Sequence, residues 1–524
     1  MPITNHYPAN TYKATNSKKF NKHNIPSKNT SRNVKEPVMF QFEKQFKTKT
    51  HGNFWNKEGE AKPNALTENS REAYKSTKFN LLDIFYKIGN MRDVDDAFME
   101  KVRLAYREDK EGLLAVLLWA RDCRQGAGRR NVPRIVLRHW FENGNLLNSE
   151  ASQIMNKLVE LGRWDDVWAV ALDTKYERMI GTMVRNALTR NDGLCAKWLP
   201  RKGPVAARIR KLLDMSPKQY RKTIVNLTKV VETPICEGRF HEIDYSHVPS
   251  QAMNRYRNLF STKDNWRFEE WKESLTKNTA KVNVKTLYPH QIIKNVFTDA
   301  EFAQAQWKTK VKEVRTKRTS FLPVIDVSGS MTQESGARGF SCMDVAVSVG
   351  MLLSEGANNA FNGRFVTFSR KPQLMDLRGF RVLREKVRYV TTAEWGFNTN
   401  VDAVFDLILM EARTYGLDQD ELPEYILILS DMQFDGAVDN RPAIKTIKRK
   451  YKRYGYEAPT VVFWNVANTY DNVPAVKNEN GCILISGFNT NLLEQLIDSP
   501  KNINPMMFLD KVINNPRYRV ALRA

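Results

Sequence analysis

Apolar residues between positions 76 and 320 recur every three or four places, the spacing at which side chains share one face of an α-helix. The clearest stripes are Phe98, Val102 and Tyr106; Leu113, Val116, Leu117 and Ala120; Ile154, Leu158 and Leu161; and Ile180, Val184 and Leu188. Breaks marked by glycine or proline separate them at 125–128, at Gly144 and at 200–204. Amphipathic helices with short links pack in pairs, so the pattern predicts a solenoid-like helical domain without a strict repeat period.

The pattern changes at Phe321, where short apolar runs begin to alternate with helical stripes. The runs, which we predict to be strands, are Leu322–Ile325, Phe365–Phe368, Tyr425–Leu429, Val461–Trp464 and Cys482–Ile485. The stripes are Val345, Val349 and Leu352, then Ile444 and Ile447, then Leu492, Leu493, Leu496 and Ile497. Buried strands that alternate with helices predict a parallel, doubly wound α/β sheet, whose ligands bind at the carboxyl ends of the strands.

These patterns divide the 524 residues into a flexible basic arm at 1–75, a helical-repeat domain at 76–320 and an α/β domain at 321–524. The arm is rich in Asn, Lys, Thr and Ser and has no sustained period, which is typical of segments that do not fold alone. No apolar run reaches about 18 residues, so we expect no membrane span. The first residues also lack the apolar core of a secretory signal.

The cysteines indicate a reducing environment. Cys123, Cys195, Cys236, Cys342 and Cys482 are far apart in the chain and form no CxxC pair. We therefore expect neither a disulfide framework nor a cysteine zinc site, and we expect a cytoplasmic location.

The net charge of +24 is confined to the front of the chain. From Phe321 onward, 23 basic and 23 acidic residues cancel, whereas residues 1–320 hold 59 basic and 35 acidic residues. A basic half joined to a neutral half indicates an anionic partner for the basic half, most often nucleic acid. The alternative is that the charge serves solubility and contacts polyanions only weakly.

Oxygen-bearing side chains follow the predicted strands at three places. Asp326, Ser328 and Ser330 form an Asp-x-Ser-x-Ser loop after the first run, Thr399 precedes a predicted helix, and Asp431 follows the third run. Such a set, with few carboxylates, suits a hard divalent cation, with Mg²⁺ first and Mn²⁺ or Ca²⁺ as alternatives. We expect Ser328, Ser330 and Thr399 to ligate directly, and Asp326 and Asp431 to act through bound water or to hold the shell.

This order of Asp-x-Ser-x-Ser, Thr and Asp resembles the metal-ion-dependent adhesion site of the von Willebrand factor A family. The resemblance implies a Rossmann-like domain with one metal ion. An open position on that ion can take a carboxylate or phosphate oxygen from a partner. The alternative is that Asp326 and the two serines only cap the following helix.

The residues favour a binding protein over an enzyme. Ser328 does not lie in a G-x-S-x-G elbow, and residues 321–524 contain no histidine that could activate it. No HExxH, P-loop or paired-glutamate motif occurs in the chain. The enzymatic alternative is a metal-dependent nuclease, in which the cation activates a water without an evident base.

Two basic clusters in the helical domain combine Arg or Lys with Trp and Gly, which suits phosphate contact and base stacking. We predict RNA contacts from Arg121, Arg124, Arg129, Arg130, Arg134 and Arg138 in the first cluster, and from Lys197, Arg201, Lys202 and Arg208 in the second. The alternative is that both clusters are solvated faces with Trp in the core. The basic run at 448–453 is interpreted as an exposed helix face.

A basic helical half followed by an A-type domain resembles the Ro autoantigen (TROVE) family, as does the Arg-x-x-Arg-Gln-Gly-x-Gly-Arg-Arg stretch at 121–130. A closer likeness is to an uncharacterised group of phage, giant-virus, fungal and plant proteins of the same layout. It rests on Leu-Cys-Ala-Lys-Trp-Leu-Pro-Arg at 194–201 and Phe-Trp-Asn at 463–465.

The Ro resemblance implies a ribonucleoprotein component that binds small noncoding or misfolded RNA. We expect a monomer in the cytoplasm, or in the host cytoplasm if the protein is viral. The alternative function is a protein-interaction scaffold, in which the metal captures a carboxylate from an acidic protein partner.

Overall fold

The computed structural model describes residues 63–67, 72–143, 146–316, 320–368, 372–392, 401–434, 443–468, 472–490, 492, 496 and 502–522. Most of the predicted arm lies outside these ranges. Its end forms two short antiparallel strands, β1 (Ala65–Leu66) and β2 (Glu72–Ala73). Tyr74 then exchanges backbone hydrogen bonds with Val473, and its side chain is buried. This part of the stretch is therefore attached to the body.

Helices follow from Asn80 to Arg315, as the apolar spacing predicts. They are α1 (Asn80–Ile88), α2 (Asp96–Glu108), α3 (Lys110–Arg121), α4 (Asn131–Asn143), α5 (Asn148–Leu161), α6 (Trp164–Ala171), α7 (Glu177–Thr189), α8 (Gly193–Trp198), α9 (Gly203–Leu212), α10 (Pro217–Leu227), α11 (Glu232–Cys236), α12 (Ser250–Lys263), α13 (Asn265–Thr276), α14 (Pro289–Ile293) and α15 (Ala300–Arg315). Short 3-10 turns at Phe240–Glu242 and Tyr245–His247 lie between α11 and α12.

Side chains at the helix ends explain why the links are so short. Asp109 is both the last residue of the link after α2 and the cap of α3, where its carboxylate accepts a hydrogen bond from the backbone N–H of Gly112 at 2.7 Å. Asp192 caps α8 through the N–H groups of Leu194 and Cys195. Such caps satisfy backbone donors that the first helical turn leaves unpaired. A new helix can therefore begin directly after a short link, and consecutive helices such as α2 and α3 pack on each other.

The α/β part begins at Phe321. Its strands are β3 (Phe321–Asp326), β4 (Arg364–Phe368), β5 (Gln373–Asp376), β6 (Tyr425–Ser430), β7 (Thr460–Asn465) and β8 (Cys482–Ser486). Its helices are α16 (Cys342–Gly356), α17 (Leu383–Val390), α18 (Val401–Tyr415), α19 (Ala443–Arg453) and α20 (Pro505–Ile513). The five predicted strands are confirmed. Of the predicted stripe at 492–497, Leu493 and Ile497 lie outside the described residues.

The sheet has the strand order β5-β4-β3-β6-β7-β8. All neighbours are parallel except β4 and β5, so the sheet is mixed, and the prediction of a purely parallel sheet is wrong at this edge. The pattern did not reveal β5 because it is a short, half-exposed edge strand. An edge strand contacts one neighbour and needs no continuous apolar run. Strands β3, β6, β7 and β8 are fully buried, and each of them does carry such a run.

One hydrophobic core runs through the helical and α/β parts. It contains Trp119 of α3, Trp307 of α15 and Trp464 of β7, all of which are almost completely buried. Helices α14 and α15 pack on α16, and α1 packs on β8. Within the described ranges, no α-helix combines the length and apolar content that crossing a lipid bilayer requires.

The turn after α1 lies directly against the carboxyl ends of β7 and β8. The N–H of Gly89 donates to the Ser486 hydroxyl at 3.1 Å, and the Asn90 amide donates to the Asn465 carbonyl. A Cβ at position 89 would come within 2.2 Å of the Ser486 carbonyl oxygen. Only glycine therefore permits this approach of the helical part to the sheet.

We predict that Gly89→Ala lowers the free energy of unfolding by about 1–3 kcal/mol, because the added methyl group overpacks a backbone contact. Denaturant unfolding followed by tryptophan fluorescence measures the change. Gly379→Ala is the matched control, since a Cβ at position 379 would meet no atom within 4 Å. Equal stability of the two variants would contradict the close approach.

Candidate metal centre and basic surfaces

Strand pairing brings two aspartates to the same edge of the sheet. Ile325 of β3 pairs with Leu429 of β6, so Asp326, the last residue of β3, and Asp431, the residue after β6, lie at neighbouring strand ends. Both carboxylates are fully buried. This register brings two of the three loops of the predicted site to the carboxyl edge of the sheet.

Each oxygen of Asp326 accepts a hydrogen bond. The N–H of Ser328 donates to Oδ1 at 2.9 Å, and the Ser430 hydroxyl donates to Oδ2 at 2.6 Å. Burial, with the nearby charge of Asp431, still raises the pKa of Asp326 to about 7. Two neighbouring carboxylates that are removed from water each disfavour the charged form of the other.

Asp431 is held in a similar way. Its Oδ1 accepts from the N–H of Gln433 at 3.1 Å, and its Oδ2 accepts from the side-chain amide of Gln333 at 3.2 Å. The next residue, Met432, has φ 68°, a left-handed conformation that costs a side chain with Cβ some energy. The N–H of Met432 donates to the Ser430 hydroxyl, which fixes this turn.

The two serines of the Asp-x-Ser-x-Ser loop point their hydroxyls together, with Ser328 Oγ 3.1 Å from Ser330 Oγ. A 3-10 turn at Gly329–Thr332 positions them, and Ser330 is partly exposed whereas Ser328 is buried. Thr399 lies outside the described residues. The part of the chain with assigned structure contains no group of three or more His, Cys, Asp or Glu side chains placed for a metal. The predicted site residues that lie within the described ranges are two carboxylates and two hydroxyls.

Two residues of this cluster were not predicted from the sequence. Ser430 ends the apolar run of β6 and could have been found as the polar residue before Asp431. Gln333 lies in no motif, and its contact with Asp431 spans 98 positions. Only the folded loop shows that it belongs to the cluster.

Arginines of the helical part hold the loop that follows the serines. Arg92 forms an ion pair with Glu334 at 2.9 Å and donates to the Ser335 carbonyl. The hydrogen bond from Arg92 lowers the pKa of Glu334 to about 2. Arg129 donates to the carbonyls of Gly336 and Met91, and its guanidinium lies 5.2 Å from the centre of the Phe488 ring. Burial lowers the pKa of Arg129 to about 10.

Several arginines of the first basic cluster have partners inside the protein. Arg121 is almost fully buried and pairs with the buried Asp166 at 2.7 Å. Arg134 bridges Asp166 at 2.5 Å and Asp165 at 2.9 Å. With Arg129 at the interface, these three guanidinium groups are committed to packing and ion pairs.

The other members of that cluster lie nearer the surface. Arg124 is exposed and donates to the Glu160 carbonyl at 2.5 Å. Arg138 is half-buried, pairs with Glu142 at 2.6 Å and donates to the Leu172 carbonyl. Arg130 is exposed. The six arginines that look equivalent in the sequence therefore do not form one surface.

The residues of the second basic cluster also differ in exposure and in their partners. The guanidinium of Arg163 lies 4.1 Å from the centre of the Trp198 ring, and the Lys197 ammonium lies 6.0 Å from it. Arg208 forms an ion pair with Glu177 at 2.6 Å. Arg201 and Lys202 are exposed and enter a groove between α9 and α10.

This groove, which we call the α9–α10 groove, has a volume of about 710 Å³. Its basic residues are Arg201, Lys202, Arg210, Lys218 and Arg221, and its floor includes Tyr220, Ile224 and Val225. Among the described residues that line it, none is acidic. Arg210 belongs to the second basic cluster of the sequence, whereas Lys218 and Arg221 were missed because they lie on the next helix, α10, outside that cluster.

Two families match the chain, and they meet between α15 and β3. Residues 168–319 match the family described as Domain of unknown function (DUF2828). Residues 320–508 match the family described as Domain of unknown function (DUF7788). Each covers less than half of the chain, and together they include the α9–α10 groove and the aspartate cluster.

The chain is also similar over most of its length to one curated protein. This is the uncharacterized protein L728 of Acanthamoeba polyphaga mimivirus, with 27% identity over 511 residues. The match covers 86% of this chain and 87% of that protein. The similarity therefore spans the helical and α/β parts together.

We predict that Arg121→Met lowers the free energy of unfolding by about 3–5 kcal/mol, because it removes the buried partner of Asp166 and leaves only the partly exposed Arg134 paired with this buried carboxylate. Thermal unfolding monitored by circular dichroism measures the loss. Arg124→Met, on the exposed neighbour, is the control and should unfold close to the wild-type temperature. An Arg121→Met protein as stable as this control would show that the pair is dispensable.

Proposed function

We propose that this protein binds RNA through its helical part and a divalent cation through an α/β part of the von Willebrand A type. The observation that carries the proposal is the pairing of an acid-free basic groove with a buried aspartate–serine cluster at the sheet edge. In this proposal the helical part is a solenoid-like stack, as the Ro resemblance implies. The protein acts as a binding module and not as an enzyme.

The strand order supports the von Willebrand A assignment. Numbered from β3, the sheet reads 3-2-1-4-5-6, the order of a doubly wound fold. The cluster lies where ligands of such sheets bind, outside the carboxyl ends of strands on either side of the switch point between β3 and β6. The left-handed Met432 beside it is a strained residue of the kind found at binding sites.

The donor set fits a hard cation. Ser328 and Ser330 offer two hydroxyl oxygens 3.1 Å apart, and Asp326 and Asp431 supply the negative charge. Because each carboxylate oxygen already accepts a hydrogen bond, the aspartates suit the role of holding bound water and the serines. A cation there would offset the repulsion between the two buried carboxylates.

We predict that Asp326→Asn weakens Mn²⁺ binding by about 10–100-fold, because it removes charge and one acceptor that orients Ser430. Isothermal titration of Mn²⁺ and Mg²⁺ into the full chain, at constant pH, measures the affinity. Asp376→Asn on the half-exposed edge strand β5 is the matched control and should bind as the wild type does. Unchanged Mn²⁺ affinity in Asp326→Asn would remove the cluster from the metal site.

The α9–α10 groove is the surface that suits RNA best. Its five basic residues can neutralise several phosphates, and the exposed Val225 gives bases an apolar surface to pack on, above the buried Tyr220 and Ile224. Arg201 and Lys202 were expected at the interface from the sequence, whereas Arg121, Arg129 and Arg134 are occupied by the protein itself. We therefore place the main RNA contacts in this groove, with exposed Arg130 as a further contact.

Replacing Arg201, Lys202, Lys218 and Arg221 together by Gln tests the groove. We predict weaker binding of a single-stranded RNA, and a salt dependence whose slope falls by about 0.7 for each phosphate that the variant no longer neutralises. Fluorescence anisotropy across a salt series measures both. The control replaces the exposed lysines 263, 277, 281 and 285 by Gln, which removes the same charge elsewhere.

Similar losses of affinity in the two quadruple variants would mean that binding follows net charge and not the groove. A specific defect in the groove variant would support the proposal.

A metal-dependent scaffold is the second candidate. The partly exposed Ser330 and exposed Gly329 leave the hydroxyl side of the cluster accessible to a carboxylate from an acidic protein. Partner capture of this kind is abolished by a chelator and by Asp326→Asn, whereas RNA binding in the groove falls steeply with salt.

A further inference from the structure

A second cavity lies between the helical and α/β parts, away from the α9–α10 groove. It has a volume of about 310 Å³ and is formed by α14, α16, α17 and the residues Gly339 and Phe340 before α16. This volume is at the lower end of the range for small-molecule sites in proteins. Neither the aspartate–serine cluster nor the basic groove includes its lining residues.

The deep part of this cavity is apolar. Met343, Met351, Val387 and Val390 line it and are almost fully buried. Thioether and branched aliphatic side chains accommodate aromatic or aliphatic groups without requiring hydrogen bonds. These side chains therefore favour an apolar group of a ligand in this part of the cavity.

One polar side chain lines this apolar wall without a partner. His290 is 3% exposed, and its Nδ1 has no hydrogen-bond partner among the described residues. Its ring packs between Tyr288, Phe340 and Phe488, with ring centres 4.4–5.7 Å apart. A buried polar atom without a partner is costly, and an occupant with a polar atom can satisfy it.

The rim of the cavity carries one positive and one negative side chain. Lys294 is exposed, and its ammonium lies 5.1 Å from the Phe340 ring centre. No acidic side chain in the described ranges pairs with it. Asp344 is already engaged, because it accepts from the N–H and hydroxyl of Ser341 at 2.8 and 2.9 Å. Asp344 still carries its negative charge, but one of its oxygens is taken up by these donors, whereas the Lys294 ammonium offers hydrogen-bond donors at the rim.

We propose that this cavity binds a small amphipathic carboxylate, with an aromatic or aliphatic body against the methionines and valines and its anionic head between His290 and Lys294. The observations that carry this are the apolar wall, the unpartnered His290 within it and the unpaired Lys294 at the mouth. A carboxylate can accept hydrogen bonds from the ammonium. The site does not depend on RNA or on a cation elsewhere in the protein.

The probe is 4-phenylbutyrate, with 4-phenylbutanol as the neutral compound of the same shape. Titration of each into the full chain, followed by saturation-transfer NMR and calorimetry, should show tighter binding of the carboxylate. Lys294→Gln should weaken the binding of 4-phenylbutyrate by about fivefold, the effect of one exposed ion pair. It should leave the affinity for 4-phenylbutanol unchanged. Lys277→Gln, an exposed lysine that does not line the cavity, is the control.

Val347→Trp tests the location, because a larger side chain at this half-buried lining position fills the cavity and should abolish binding of both compounds. A diazirine derivative of 4-phenylbutyrate should also label α14 or α16 in the wild-type chain, which does not depend on how a variant folds. Labelling elsewhere, equal binding of the two compounds or no binding of either would overturn the proposal.

Discussion

Two like-charged carboxylates, Asp326 and Asp431, are buried at adjoining strand ends, and much of the surrounding structure serves to hold them there. Burial of a charge requires hydrogen bonds or an opposite charge, since water no longer solvates it. Ser328, Ser430 and Gln333 provide donors together with backbone N–H groups. These donors fix the turns after β3 and β6, and with them the direction of both serine hydroxyls.

The helical part completes this edge of the sheet. The turn at Gly89 and Asn90 touches the ends of β7 and β8, while Arg92 and Arg129 hold the loop that follows the serines. The two parts share one hydrophobic core, although the matched families divide the chain between residues 319 and 320. The boundary in the sequence is thus a change of secondary structure within one packed body.

Arginine has two roles in the helical part, and burial decides between them. A guanidinium that is taken out of water needs carboxylates or carbonyls, as Arg121 and Arg134 find in Asp165 and Asp166. Arg201, at the mouth of the α9–α10 groove, stays exposed and leaves its charge available. The positive net charge of the chain therefore overstates the positive charge that is available at the surface, and the described residues that line the α9–α10 groove include several of these available charges and no acid.

The features that could be predicted from the sequence depend on residues that are close together in the chain. The apolar stripe of α3 and the run of β6 follow from spacing, and Asp326, Ser328 and Ser330 are close because they are four positions apart at most. By contrast, the edge strand β5, the reach of Gln333 to Asp431 and the burial of Arg121 against Asp166 depend on packing. The spacing of apolar residues indicates which face of a helix or strand is apolar, but it does not indicate which distant element covers that face. Contacts between residues tens or hundreds of positions apart are therefore set by how the helices pack on the sheet and on one another.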